Sequence, residues 1–121
     1  EYLKNNEKIT WVKCAMLDDD SQHEIAMKYM PNGTCGVVSF GIKGGREAAT
    51  VFMDSLKLAA IVTHVADART CCLHPASTTH RQLTDKELEE CGVTPDLLRF
   101  SCGIEDADDI IEDIQQALDK I

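Results

Sequence analysis

The run Leu97-Leu98-Arg99-Phe100-Ser101-Cys102-Gly103 constrains this chain more than any other stretch. Read as a strand, whose side chains alternate between two faces, it sends Leu98, Phe100 and Cys102 one way. Leu97, Arg99 and Ser101 go the other way. The first set calls for an apolar layer packed against it. The second puts a guanidinium in mid-strand, as a solvent charge on an edge, a structural ion pair, or an anion clamp. A clamp is chemically apt because the planar fork of donors fits a carboxylate or phosphate bidentately.

Other segments supply the rest of a sheet and its cover. Residues 9–14 and 35–42 are rich in β-branched and aromatic side chains and predict two strands, and 69–73, closed by His74-Pro75, a further one. Residues 2–6 read as the last turns of a helix. A short helix over about 22–30 follows the polar Asp18-Asp19-Asp20-Ser21 and is stopped by Pro31-Asn32-Gly33. Gly44-Gly45 breaks the chain before a helix over about 46–60, with Ala48, Phe52, Leu56 and Ala59 along one stripe. Thr84-Asp85-Lys86-Glu87 is a capping box for a helix that stops at Gly92. Asp106 caps a last helix in which Ile110, Ile111, Ile114, Leu118 and Ile121 recur at helical spacing, and Asp108 and Asp109 complement its dipole. The expectation is one α+β unit over 1–121: a small, mainly antiparallel four-stranded sheet with helices on one face. The other sheet face then needs a partner or is unusually exposed.

Charge narrows the function classes. The net charge of −9 leaves no basic surface for nucleic acid or an anionic membrane. Residues 1–84 hold nine acidic and nine basic side chains, and 85–121 hold twelve and three, so the whole imbalance sits in the last third. There the carboxylates alternate with Ile and Leu, as on the solvated face of a helix. No apolar run reaches the roughly 18–20 residues that a bilayer span needs, and no signal peptide is evident. The six cysteines include no C-x-x-C pair and no zinc spacing. They read as reduced thiols of a cytoplasmic protein.

Two further clusters invite chemistry. In residues 74–83, hydroxyl side chains lie between His74 and His80, which suggests metal binding or a nucleophile. The six-residue separation with a proline inside it argues against a metal site, and Ser77 sits in no nucleophile elbow, so a hydroxyl-satisfied turn is the better reading. Gly41-Ile42-Lys43-Gly44-Gly45-Arg46 has the look of a phosphate loop but lacks the Walker spacing. A tight turn into a helix explains it. His23 and His64 are isolated.

Read together, Asp67-Ala68-Arg69-Thr70-Cys71-Cys72-Leu73-His74-Pro75-Ala76-Ser77-Thr78-Thr79-His80 and Leu98-Arg99-Phe100-Ser101-Cys102-Gly103-Ile104-Glu105-Asp106 strongly resemble the C-terminal domain of the Cys/Met-metabolism pyridoxal-phosphate enzymes. Phe40-Gly41-Ile42-Lys43-Gly44-Gly45 and Asp54-Ser55-Leu56-Lys57-Leu58 fit the same pattern, so the resemblance covers essentially the whole chain. Within the family the Asp-Ala-basic-Thr run is most similar to the O-acetylhomoserine sulfhydrylases.

The resemblance implies a fold-type I enzyme of which 1–121 is the C-terminal small domain, with a cofactor-binding large domain upstream. It maps Arg99 onto the arginine that grips the substrate α-carboxylate, and Thr70 onto a position near that carboxylate. It implies pyridoxal 5'-phosphate as cofactor, O-acylated homoserine and sulfide or a thiol as substrates, and a homotetramer. No lysine here has the family's Ser-x-Thr-Lys context, so these residues alone are expected neither to bind the cofactor productively nor to turn over. The runner-up activities are methionine γ-lyase and cystathionine γ-synthase or lyase; a non-catalytic α+β interaction module is the alternative of another class.

Overall fold

The computed structural model describes residues 1–121. Five strands, β1 (Ile9–Lys13), β2 (Val37–Ile42), β3 (Ala60–Ile61), β4 (Cys71–Leu73) and β5 (Leu97–Ser101), form one sheet in the order β1-β2-β5-β4-β3. The helices are α1 (His23–Tyr29), α2 (Gly45–Ser55), α3 (Asp85–Glu90) and α4 (Ala107–Leu118), and Leu3–Asn5 and Pro75–Ser77 are 3₁₀ turns. The expected α+β class holds, with one strand more than the four expected. β3 is that strand, and it pairs parallel to β4, whereas every other pairing is antiparallel.

The extra strand has a physical cause that also shortens α2. Periodicity carried that helix to about residue 60, but it ends at Ser55, and Leu56 turns to extended backbone. Asp113 of α4 provides the reason. Its buried carboxylate accepts the backbone N–H groups of Lys57 (2.8 Å), Leu58 (3.0 Å) and Ala59 (2.9 Å), which a continuing helix would have used internally. Gln116 donates to the same carboxylate. The chain is thus peeled from α2 and laid beside β4.

The core lies between the sheet and the pair α2 and α4. Phe40 of β2 meets Phe52 of α2 edge to face, with centroids 6.0 Å apart, and Phe100 of β5 at 6.4 Å. Both geometries lie in the favourable range for aromatic pairs. Leu98, Ala117 and Leu118 complete a fully buried layer around them. Local signals act as the sequence suggested. Thr84 and Glu87 exchange both bonds of the capping box, Asp106 caps α4, and Gly44 and Gly45 adopt φ of 96° and 63° to turn into α2. The far end of α4 is closed by Lys8, whose Nζ donates to the carbonyls of Leu118 (2.8 Å) and Ile121 (2.9 Å).

Replacing Asp113 by Ala orphans three backbone donors beside the core. The chain should lose roughly 2–4 kcal/mol of stability by denaturant unfolding, with early hydrogen exchange at Lys57, Leu58 and Ala59.

Candidate functional site

The position of β5 narrows the structural readings of Arg99. The strand is the middle one of five, between β2 and β4, so Arg99 is not an edge charge. Its neighbours across the sheet are Ser39 on β2 and Leu73 on β4, and Ser101 stands opposite Val37 and Cys71. Leu98 and Phe100 point into the core, so Arg99 and Ser101 project from the opposite face. Nor is Arg99 in an ion pair, since no carboxylate of the chain bridges to it. Its Nη2 donates instead to two backbone carbonyls, Thr63 at 2.8 Å and His64 at 3.3 Å. Its Nε is buried and has no partner. A half-buried guanidinium held only by carbonyl dipoles keeps its whole charge uncompensated, which is the electrostatic condition for receiving an anion.

Thr70 is placed differently from Arg99, and the two side chains are not brought to one point. Thr70 is fully buried, and its hydroxyl donates to Glu105 Oε2 (2.8 Å) while accepting the N–H of Gly103 (2.9 Å). Its own N–H also donates to Glu105, at 2.9 and 3.1 Å. These bonds, the backbone one foremost, hold the Glu105 carboxyl below the usual carboxylate range. The clasp needs a glycine at 103, because a Cβ there would clash with the Ala68 carbonyl oxygen and the Thr70 amide nitrogen. The residues Gly103 and Glu105 were missed as individuals by sequence reasoning, although their spacing stands in the Ser-x-Gly-x-Glu part of the motif.

The histidine cluster is structural. The buried His74 ring lies between Pro95 O (2.8 Å from Nε2) and Ser77 Oγ (2.9 Å from Nδ1), while Thr78 Oγ1 donates to the His74 carbonyl (2.7 Å). Nε2–H donates to the Pro95 carbonyl, and in the neutral ring that burial favours Nδ1 accepts from the Ser77 hydroxyl. Burial lowers the His74 pKa, against the opposing bond to Pro95, and the Arg46 charge lowers it further. His80 is bonded through Nδ1 to Thr79 and takes no part.

No enclosed pocket surrounds Arg99. None of the five surface cavities is lined by Arg99 or Thr70. The most apolar, about 470 Å³, lies on the helical side, between Val12, Val38 and Ile110. Seven of the eight lysines are exposed, and Lys8 is committed to the end of α4.

Comparison with known proteins shows where this arrangement belongs. The family model described as Cys/Met metabolism PLP-dependent enzyme matches residues 1–119. The chain belongs to that family. It is 45% identical over 119 residues to a homocysteine synthase of Schizosaccharomyces pombe, covering 98% of this chain and 28% of that protein. It is 43% identical to an O-acetyl-L-homoserine sulfhydrylase of Leptospira meyeri, over all of this chain and 28% of the relative. A Campylobacter jejuni protein described as an O-acetylhomoserine (thiol)-lyase, solved with N'-pyridoxyl-lysine-5'-monophosphate, superimposes with a TM-score of 0.89 at 34% identity. That match covers 98% of this chain and 28% of the neighbour. The chain therefore spans little more than a quarter of the relatives' length. No helix is long and apolar enough to cross a membrane.

Two outcomes follow from the site. Gly103→Ala should cost about 2–4 kcal/mol in denaturant unfolding, because the added methyl meets backbone rather than a movable side chain. His74 gives a pH signature. Its folded pKa lies below the unfolded value of about 6.5, so its contribution is present above that pH and is lost as pH falls through it. Unfolding free energy should therefore drop as pH falls below about 6.5, and His74→Gln should flatten that slope.

Proposed function

We propose that residues 1–121 are the C-terminal, substrate-carboxylate-binding domain of a pyridoxal-phosphate-dependent O-acetylhomoserine sulfhydrylase. The reaction replaces the γ-acetoxy group of the amino acid by sulfide or a thiol, giving homocysteine or methionine. The observation that carries this reading is the guanidinium of Arg99, unpaired with any carboxylate on the sheet face opposite the helices, in a chain whose relatives are sulfhydrylases and homocysteine synthases. Arg99 binds and orients the α-carboxylate through parallel charge-assisted bonds, which fixes the reacting carbons relative to the cofactor. Thr70 acts as a positioning residue, since its clasp with Glu105 and Gly103 ties the start of β4 to the end of β5.

Pyridoxal phosphate supplies the electron sink for such chemistry. The lysines of this chain do not fit its covalent attachment, so the reading assigns that attachment to an upstream large domain of the same polypeptide. These 121 residues alone are then inactive. Six unpaired cysteines, two of them buried, support a reducing, cytoplasmic setting, and assembly as a homotetramer belongs to the same reading.

In the full-length protein, Arg99→Ala should raise KM for O-acetylhomoserine about 100-fold, while KM for sulfide stays near the wild-type value. An unchanged amino-acid KM overturns the carboxylate role. Borohydride reduction and peptide mapping should find a pyridoxyl-lysine outside residues 1–121, on the same polypeptide.

A further inference from the structure

Three buried side-chain polar atoms in the chain have no hydrogen-bond partner: Thr94 Oγ1, Arg99 Nε and Ser101 Oγ. Two of the three stand two residues apart on β5 and on the same face. Leaving a buried polar atom unpaired is destabilising, so two such atoms side by side need a physical account. One bond would satisfy both, because Nε–H is a donor and a serine hydroxyl is an acceptor.

The bond is absent for a reason visible in the geometry. Arg99 leans across β4, where its Nη2 reaches the carbonyls of Thr63 and His64. That pose directs the guanidinium sideways and leaves Nε away from Ser101. Along a strand, same-face positions are separated by roughly 6.6 Å. The arginine stem closes that gap if it leans along β5 instead of across it. The surroundings of Ser101 offer little competition, since Cys71 opposite it turns its thiol to the Arg69 carbonyl at 3.2 Å.

We propose that Ser101 is a positioning residue for Arg99. With the amino-acid substrate bound, the side chain leaves the Thr63 and His64 carbonyls and Nε–H donates to Ser101 Oγ. The Nη1 and Nη2 edge then faces the carboxylate as a fixed fork. Ser101 does not touch the substrate; it sets the angle at which the fork is presented. This inference rests on the carboxylate role of Arg99 and adds to it a second residue and two poses of the guanidinium.

The test uses the full-length enzyme with its cofactor. Ser101→Ala should raise KM for O-acetylhomoserine about tenfold, change kcat by less than about threefold, and leave KM for sulfide unaltered. Its Tm should equal or exceed the wild-type value, because the substitution removes an unpaired hydroxyl. A folded Ser101→Thr enzyme, which keeps the acceptor, should return KM to near wild type. An unchanged KM in Ser101→Ala, a lowered Tm with loss of kcat, or failure of the threonine to restore KM each overturns the proposal. Arg99→Ala measured alongside separates the two levels. If it raises KM and Ser101→Ala does not, only the serine falls; if neither does, the carboxylate reading itself falls.

Discussion

The structure depends on the alternation of one central strand. β5 must satisfy two unlike environments at once, because it is hydrogen-bonded on both sides and has no free edge. Leu98 and Phe100 meet Phe40 and the helices α2 and α4, while Arg99 and Ser101 meet the opposite face. A slip of one residue would drive the guanidinium into a layer of phenylalanines and expose two large apolar side chains. Charged burial of that kind is prohibitive, so core and site enforce each other's register. The arginine is held in place by the hydrophobic effect acting on its neighbours.

The elements flanking β5 are fixed by polar clasps, each of which takes up backbone donors or acceptors that would otherwise be orphaned. Asp113 gathers three amides after α2, Glu105 gathers the amide and hydroxyl of Thr70, and Lys8 closes the last carbonyls of α4. The first of these creates β3, and the chain beyond β3 presents the two carbonyls on which Arg99 rests. A carboxylate on α4 thereby sets the resting pose of an arginine on the far side of the sheet. Local strain is modest, with Ala66 at φ 59° the one non-glycine residue in the left-handed region.

Much of this was legible in the residues. The capping box at Thr84, the cap at Asp106 and the turn at Gly44-Gly45 are short-range devices whose chemistry lies within a few positions, and they formed as read. The two faces of β5 were legible for Leu98 and Phe100 against Arg99 and Ser101, whereas Cys102, expected on the apolar face, lies past the strand's end at Ser101 and is exposed. What escaped was long-range. The end of α2 is dictated by Asp113, more than fifty residues away, and the stripe of Leu56 and Ala59 gave no sign of it. A two-residue strand such as β3 carries no periodicity of its own. The role of Thr70 also depends on distant partners, since only the fold shows that Glu105 and Gly103 occupy its hydroxyl. Family resemblance reached Arg99 and Thr70 together. The geometry gives them different partners, the carbonyls of Thr63 and His64 for Arg99 and the Glu105 and Gly103 clasp for Thr70.

The most direct test of this account is a crystal structure of the full-length protein with an unreactive amino acid bound. The account predicts that the carboxylate lies about 2.7–2.9 Å from two nitrogens of the Arg99 guanidinium, which has left the carbonyls of Thr63 and His64. A carboxylate held by other residues, with Arg99 still resting on those carbonyls, would contradict it.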